Sequence, residues 1–144
     1  MLLSKLKPIV ALGVMIIREG RVLLAKRKGA LGLDTYGFPG GKLEGLESFE
    51  EGIMRELREE CGAELKVKNL RFVVLENVLA YRPKHFVNIG FVAEWVSGEA
   101  INTEPNKHED WQWCPMDALP QPLFVPSLNI VEAYKSGQVY RDGK

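Results

Sequence analysis

Residues 41–63 read G-K-L-E-G-L-E-S-F-E-E-G-I-M-R-E-L-R-E-E-C-G-A. Ser48, followed three positions later by Glu51, has the form of a capping box, in which each residue's side chain satisfies the other's free backbone N–H. A helix is expected from about Phe49 to Cys61, stopped by Gly62 as its C-terminal glycine. Phe49, Ile53 and Leu57 recur every four residues and form the stripe that faces a core. Glu56, Glu59 and Glu60 fall together on another face. Like charges three and four apart destabilise a helix by about 0.2–0.5 kcal/mol per pair, so the cluster calls for a reason.

A divalent cation supplies one. Hard oxygen ligands suit Mg²⁺ or Mn²⁺, and Mg²⁺ held by carboxylates completes its shell with waters and substrate phosphates. The helix therefore suggests a site for a phosphorylated ligand. The competing reading is a solvated face on which Arg55 and Arg58 make ordinary surface pairs with the glutamates. Six glycines lie between positions 29 and 47, with Pro39 and the hydrophobics Leu31, Leu33, Tyr36 and Phe38 threaded among them. That mixture predicts an ordered loop whose backbone can approach a ligand closely.

Working outward, Ile9–Ile17 is a continuous apolar run, as expected of a central strand buried on both faces. Lys5 and Lys7 before it give the look of a leader, yet no small-residue cleavage pattern follows and Arg18 comes at once. A buried strand is the better reading. Arg18-Glu19-Gly20-Arg21 is a turn signal, and Val22–Ala25 is the return strand, followed by Lys26, Arg27 and Lys28. Beyond the helix, Leu70–Val78 is a candidate strand. Phe86–Val96 alternates, with Val87, Ile89, Phe91, Ala93 and Trp95 on one face. Asp110–Cys114 reads as a short strand, and Trp111 and Trp113 as core or dimer interface. Ser127 is positioned to cap a last helix, Leu128–Lys135, ended by Gly137. No repeat or boundary divides residues 1–144, so one α/β or α+β domain is expected.

Composition excludes several classes. Lys+Arg and Asp+Glu are both 19, so the glutamate cluster is not a by-product of an acidic chain. Nor is there the basic field that duplex nucleic acid would favour. Cys61 and Cys114 have neither disulfide-framework nor zinc spacing and read as free thiols in a reducing compartment. His85 and His108 read as surface or edge residues. No segment is long and apolar enough for a membrane span, and a cytoplasmic location is expected.

The stretch from Gly41 resembles the Nudix box, G-x5-E-x7-R-E-U-x-E-E-x-G-U, where U is a bulky apolar residue. Gly41, Glu47, Arg55, Glu56, Leu57, Glu59, Glu60 and Gly62 match, and only Ala63 departs. Gly37-Phe38-Pro39-Gly40 fits the family's lead-in. The resemblance implies a Nudix-type α/β/α sandwich with a mixed β-sheet, and hydrolysis of a nucleoside diphosphate linked to another group. It implies metal ligation by Glu56, Glu59 and Glu60 with the Gly40 carbonyl, while Arg55 and Glu47 orient the box. A later-loop carboxylate sometimes adds a ligand or base; Glu109 is the candidate, with Asp110 and Glu104 behind it. Arg27 resembles a phosphate-contacting arginine of MutT-type members.

Most of the chain is similar to small MutT-like nucleoside-triphosphate diphosphatases, through K-H-F-V-N-I-G-F-V-A at 84–93 and E-P-N-K-H-E-D-W-Q-W at 104–113. That group cleaves (d)NTPs to the monophosphate and pyrophosphate and is often dimeric, so a homodimer is an expectation. By the same resemblance Phe124 and Val125 border the base pocket, with Phe38 near, although a core role for Phe124 stays open. An asparagine that reads oxidised purines has no clear match, since Leu128 falls there. ADP-ribose, nucleotide-sugar and dinucleoside-polyphosphate hydrolases remain alternatives, Tyr81 being a cue for the last. So does a non-catalytic nucleotide-sensing module, although such modules lose box carboxylates and none is missing here. An isomerase on this fold would need an active-site cysteine, which Cys61 inside the box helix does not supply.

Overall fold

The computed structural model describes residues 5–143. In chain order the elements are β1 (Ile9–Arg18), β2 (Arg21–Lys26), β3 (Tyr36–Gly37), β4 (Gly40–Lys42), α1 (Phe49–Cys61), β5 (Lys66–Val78), β6 (Phe86–Ser97), β7 (Gln112–Pro115), α2 (Val125–Ser136) and β8 (Tyr140–Arg141). The strands form one mixed sheet in the order β3-β2-β1-β6-β5-β8, with β4 also on β1 and β7 also on β2. β1 and β6 run parallel, as do β5 and β8; the other pairs are antiparallel.

β1 is the organising strand. Its alternate residues feed two cores: Leu12, Val14 and Ile16 pack with Ile53, Leu57 and Cys61 of α1, and Met15 packs with Ile130, Val131 and Ala133 of α2. One helix covers each face, which makes the α/β/α sandwich. Each fully buried aliphatic side chain contributes about 1.5–3 kcal/mol relative to exposure. β1 also changes partner along its length. Ala11–Gly13 pair with Lys42–Gly40 of β4, whereas Ile17 and Arg18 pair with β2 through the tight turn at Glu19 and Gly20. Both turn residues have positive φ, 48° and 77°, as a two-residue hairpin requires.

Several local expectations change. α1 has the expected limits and the full capping box, with Glu51 N–H donating to Ser48 Oγ at 3.1 Å and Ser48 N–H to the Glu51 carboxylate at 2.8 Å. Phe49, however, is 45% exposed, and the buried stripe begins one turn later, at Ile53. β6 is buried on both faces from Asn88 to Ala93 rather than alternating, because helices lie on both sides of it. β5 starts at Lys66, four residues before Leu70, and carries bulges against β6. Ser127 is not the cap of the last helix: α2 begins at Val125 with Pro126 in its first turn, where a missing N–H costs nothing. The Ser127 hydroxyl instead accepts from Phe38 N–H at 3.0 Å. Trp95, Trp111 and Trp113 pack against the α1-side core. No helix among the described residues is long and apolar enough to cross a membrane.

Candidate active site

The functional ridge of α1 is set by Arg55. Its Nε and Nη2 donate to the two carboxylate oxygens of Glu47 at 2.7 and 2.9 Å. Nη1 reaches Glu56 at 2.8 Å and Glu59 at 3.2 Å, and Nη2 also donates to the Lys42 carbonyl at 2.9 Å. This is the planar, bidentate pairing for which a guanidinium is suited and an ammonium is not. The Arg55 hydrogen bonds hold Glu47 down at about 2, helped by the Glu44 N–H, and Arg55 is raised in turn. One residue therefore fixes the loop before the helix and two of the three clustered glutamates.

Two glycines let the ridge meet backbone. A Cβ on Gly41 would collide with the Glu56 carboxyl, and one on Gly40 with the Leu12 carbonyl. Gly40 N–H donates to Glu60 Oε1 at 2.8 Å. Burial is the main influence pushing Glu60 up to about 8; the Gly40 hydrogen bond opposes it, and Glu56 and Glu104 add to it. Burial likewise raises Glu56, against the pull of Arg55. Carboxyls raised in this way fit a cation that would compensate their charge.

The third wall comes from the segment between β6 and β7. It is tied to the end of α1 by Trp111 Nε1–H, which donates to the Glu60 carbonyl at 2.9 Å, and by Thr103 Oγ1, which donates to the Glu59 carbonyl. A single turn carries Glu104 and His108 to the cavity. Their ligand atoms lie within 4.8 Å of each other and of the Glu60 carboxylate. His108 is 5% exposed, not a surface residue, and its ring lies 4.6 Å from that of Trp111.

At the opposite end stands an aromatic and cationic wall. Arg27 lies over the Phe124 ring at 4.0 Å, and Tyr81 stacks on the same ring at 5.2 Å and 23°. Burial lowers Arg27 from its ordinary value while Glu60 and Tyr81 oppose the shift. Leu31 accepts from Arg27 Nε at 3.0 Å. Both ends open into one cavity of about 490 Å³, lined among others by Gly40, Arg55, Glu56, Glu59, Glu60, Arg27, Phe38 and Phe124.

The sequence-predicted residues divide accordingly. Those eight share the cavity, and Glu47 holds it together through Arg55. Val125 lines a separate cavity with Asn129 and Arg141. Glu109 is exposed and outside the lining, its N–H donating to the Lys26 carbonyl at 2.8 Å. The later-loop carboxylate that does line the cavity is Glu104, which the sequence ranks behind Glu109. Lys84, Lys107, His108 and Asn88 also line it and were not singled out. Only the spacing of Glu104 and His108, one helical turn apart, could have signalled that pair.

The sequence pattern of the NUDIX domain matches residues 7–134. The chain belongs to the Nudix family. Its Nudix box is the loop and helix just described. Over 107 residues it is 39% identical to the NAD-capped RNA hydrolase NudC of Pseudomonas aeruginosa, covering 74% of this chain and 36% of that protein. The match thus spans about a third of NudC. The CTP pyrophosphohydrolase of Escherichia coli K12 is 31% identical over 132 residues, covering 90% of this chain and 93% of the other. A crystal structure of a MutT NUDIX hydrolase from Burkholderia pseudomallei superposes with a TM-score of 0.81 at 35% identity, over 88% of this chain and 98% of that one.

Proposed function

We propose that this Nudix hydrolase cleaves a (d)NTP to the (d)NMP and pyrophosphate with Mg²⁺ or Mn²⁺. The observation that carries this reading is the pairing, in one cavity, of the carboxylate ridge with Arg27 and Phe124, the latter backed by the stacked Tyr81 ring. A nucleotide has the same two ends, an anionic chain and a flat base. The volume of about 490 Å³ lies in the range of small-molecule sites. The E. coli relative named for CTP hydrolysis supports a triphosphate, since its match runs nearly the full length of both chains.

Glu56, Glu59, Glu60, Glu104 and the Gly40 carbonyl are the groups that would hold the cation. When bound, the cation screens phosphate charge and lowers the pKa of the attacking water. Arg27, Lys84 and Lys107 line the cavity as the cations that orient the phosphates. Phe124 and Phe38, which both line the cavity, offer faces for the base. In the reaction a water oxygen bonds to phosphorus, one P–O bond of the α–β anhydride breaks, and a ridge carboxylate takes the water's proton.

ADP-ribose and NAD-type caps contain the same anhydride. The Methanocaldococcus jannaschii relative named an ADP-ribose pyrophosphatase is 35% identical over 94 residues, 65% of this chain and 55% of that protein. The test is a substrate panel of dNTPs, NTPs, ADP-ribose, GDP-mannose, a dinucleoside tetraphosphate and an NAD-capped RNA, with products separated by chromatography. Monophosphate plus pyrophosphate from a triphosphate is the expected result. Cleavage of a sugar nucleotide or a cap alone would overturn the substrate class. Glu60→Gln should lower kcat at least about 100-fold with the folded spectrum kept; unchanged turnover would remove Glu60 from the site.

A further inference from the structure

Beside the ridge, His108 poses a separate problem. Its Nδ1 lies 3.0 Å from the Glu109 carbonyl. A carbonyl only accepts, so Nδ1 carries the proton and Nε2 keeps its lone pair. Nε2 is buried and has no hydrogen-bond partner. An orphaned buried acceptor costs about 1–3 kcal/mol, and the His108 ring has the Glu60 and Glu104 carboxyls as neighbours beyond hydrogen-bond distance. A second proton on the ring would not relieve it, because no acceptor lies within hydrogen-bond reach of Nε2. A cation satisfies all three groups at once.

We propose that His108 Nε2, together with Glu60 and Glu104, forms a mixed nitrogen–oxygen site that takes a first-row transition cation in preference to Mg²⁺. The three ligand atoms lie within 4.8 Å of one another. Neighbouring ligands of such a cation stand about 3.0–3.5 Å apart, so the three groups close on it by inward movement of their side chains. Imidazole nitrogen suits transition cations, whereas Mg²⁺ demands oxygen and sheds water reluctantly. The Nδ1–H bond to a backbone carbonyl is the outer contact that ligating histidines make, fixing tautomer and ring direction. Asn102 adds to this by donating to the His108 carbonyl at 3.0 Å, and its side-chain oxygen accepts from Glu104 N–H at 3.1 Å. Both ligands of the turn are thereby anchored by one residue. The Trp111 indole closes the other side of the ring and is bonded to the Glu60 carbonyl.

The inference rests on the carboxylate ridge being a cation site, and its test does not depend on turnover. One equivalent of Mn²⁺ is added to the intact protein, and electron spin-echo modulation from imidazole ¹⁴N is recorded. His85 is the only other histidine, and its Nε2 is engaged with Asn77. The expected result is imidazole modulation in the wild type that disappears in His108→Phe, a substitution that keeps a ring against Trp111. Mn²⁺ binding should weaken at least about tenfold in that variant and Mg²⁺ binding, measured by competition, by less than about twofold. Bound Mn²⁺ without imidazole modulation in the wild type would overturn the proposal, as would modulation that survives His108→Phe. If the variant does not fold, the wild-type spectrum still decides. Absence of hydrolysis with modulation present would sink the hydrolase reading alone.

Discussion

Replacing Glu76 by glutamine isolates a carboxyl that the cleavage chemistry does not use. Glu76 of β5 is 0% exposed. Its two oxygens accept from Asn88 of β6 at 2.6 Å and Asn129 of α2 at 2.8 Å. Burial pushes its pKa up from the usual 4.5 to about 7, against the two amide hydrogen bonds and the charge of Arg141. A raised carboxyl adds stability that is complete below the unfolded pKa and lost as pH rises through the folded one. With these values the loss between pH 5 and pH 8 is about 2–3 kcal/mol, most of it between pH 5 and 7. Glutamine cannot titrate, so this slope vanishes from the variant. It also turns an NH₂ toward one of two amide donors, which adds a cost of about 1–3 kcal/mol that is the same at every pH. Urea unfolding of both proteins across pH 5–8 separates the two effects. Titrations elsewhere, including that of Glu60, cancel in the difference between wild type and variant when the sites are independent. A wild-type minus variant difference that stays flat across the range would refute the reasoning.

Arg55→Lys keeps the charge but loses the fork that joins Glu47, Glu56 and Glu59, and should lower metal affinity about 10–100-fold; titration calorimetry with unchanged affinity would mean the fork is dispensable. Gly41→Ala pushes the Glu56 carboxyl out of its seat, so kcat should fall at least about tenfold with the α1 helix signal retained. Phe124→Ala removes the ring beneath Arg27 and Tyr81, and should raise KM for the nucleotide about tenfold while kcat changes less. A KM that stays constant would assign Phe124 to the core alone.

What was legible in the sequence was local. The capping box, the Ile53–Leu57 stripe and Gly62 define α1 by contacts within a few residues. The apolar run of β1 declares a strand covered twice. The box residues could be assigned because they sit on one helix and the loop that leads to it. What was not legible depends on partners far along the chain. β3, β4 and β8 are two or three residues long and exist by pairing with longer strands, so no periodicity marks them. Ser127 looked like a cap because a serine beside a helical segment usually is one; Phe38 N–H, 89 positions away, claims its hydroxyl instead. Glu109 reads ahead of Glu104 because nothing in the sequence shows which way the segment 98–111 between β6 and β7 turns. His108 reads as a surface residue for the same reason.

The proposed cation site is spread over two segments because Arg55, Arg27 and Lys107 are already engaged. Arg55 is saturated by Glu47, Glu56, Glu59 and the Lys42 carbonyl, so it can hold the ridge but has nothing left for Glu60. Arg27 is drawn to the Phe124 face and the Leu31 carbonyl. Lys107 meets Glu104 at 3.0 Å from a largely solvent-exposed position, where screening leaves such a pair worth little. Glu60 is thus half-buried with one backbone N–H as its hydrogen-bond partner, near the Glu104 carboxylate and the His108 ring. Taking a carboxylate out of water costs several kcal/mol unless charge compensates it. The chain accepts that cost at one point of the cavity and supplies bonded partners elsewhere in the ridge. A site arranged this way favours a ligand carrying concentrated positive charge over an anion placed directly against Glu60.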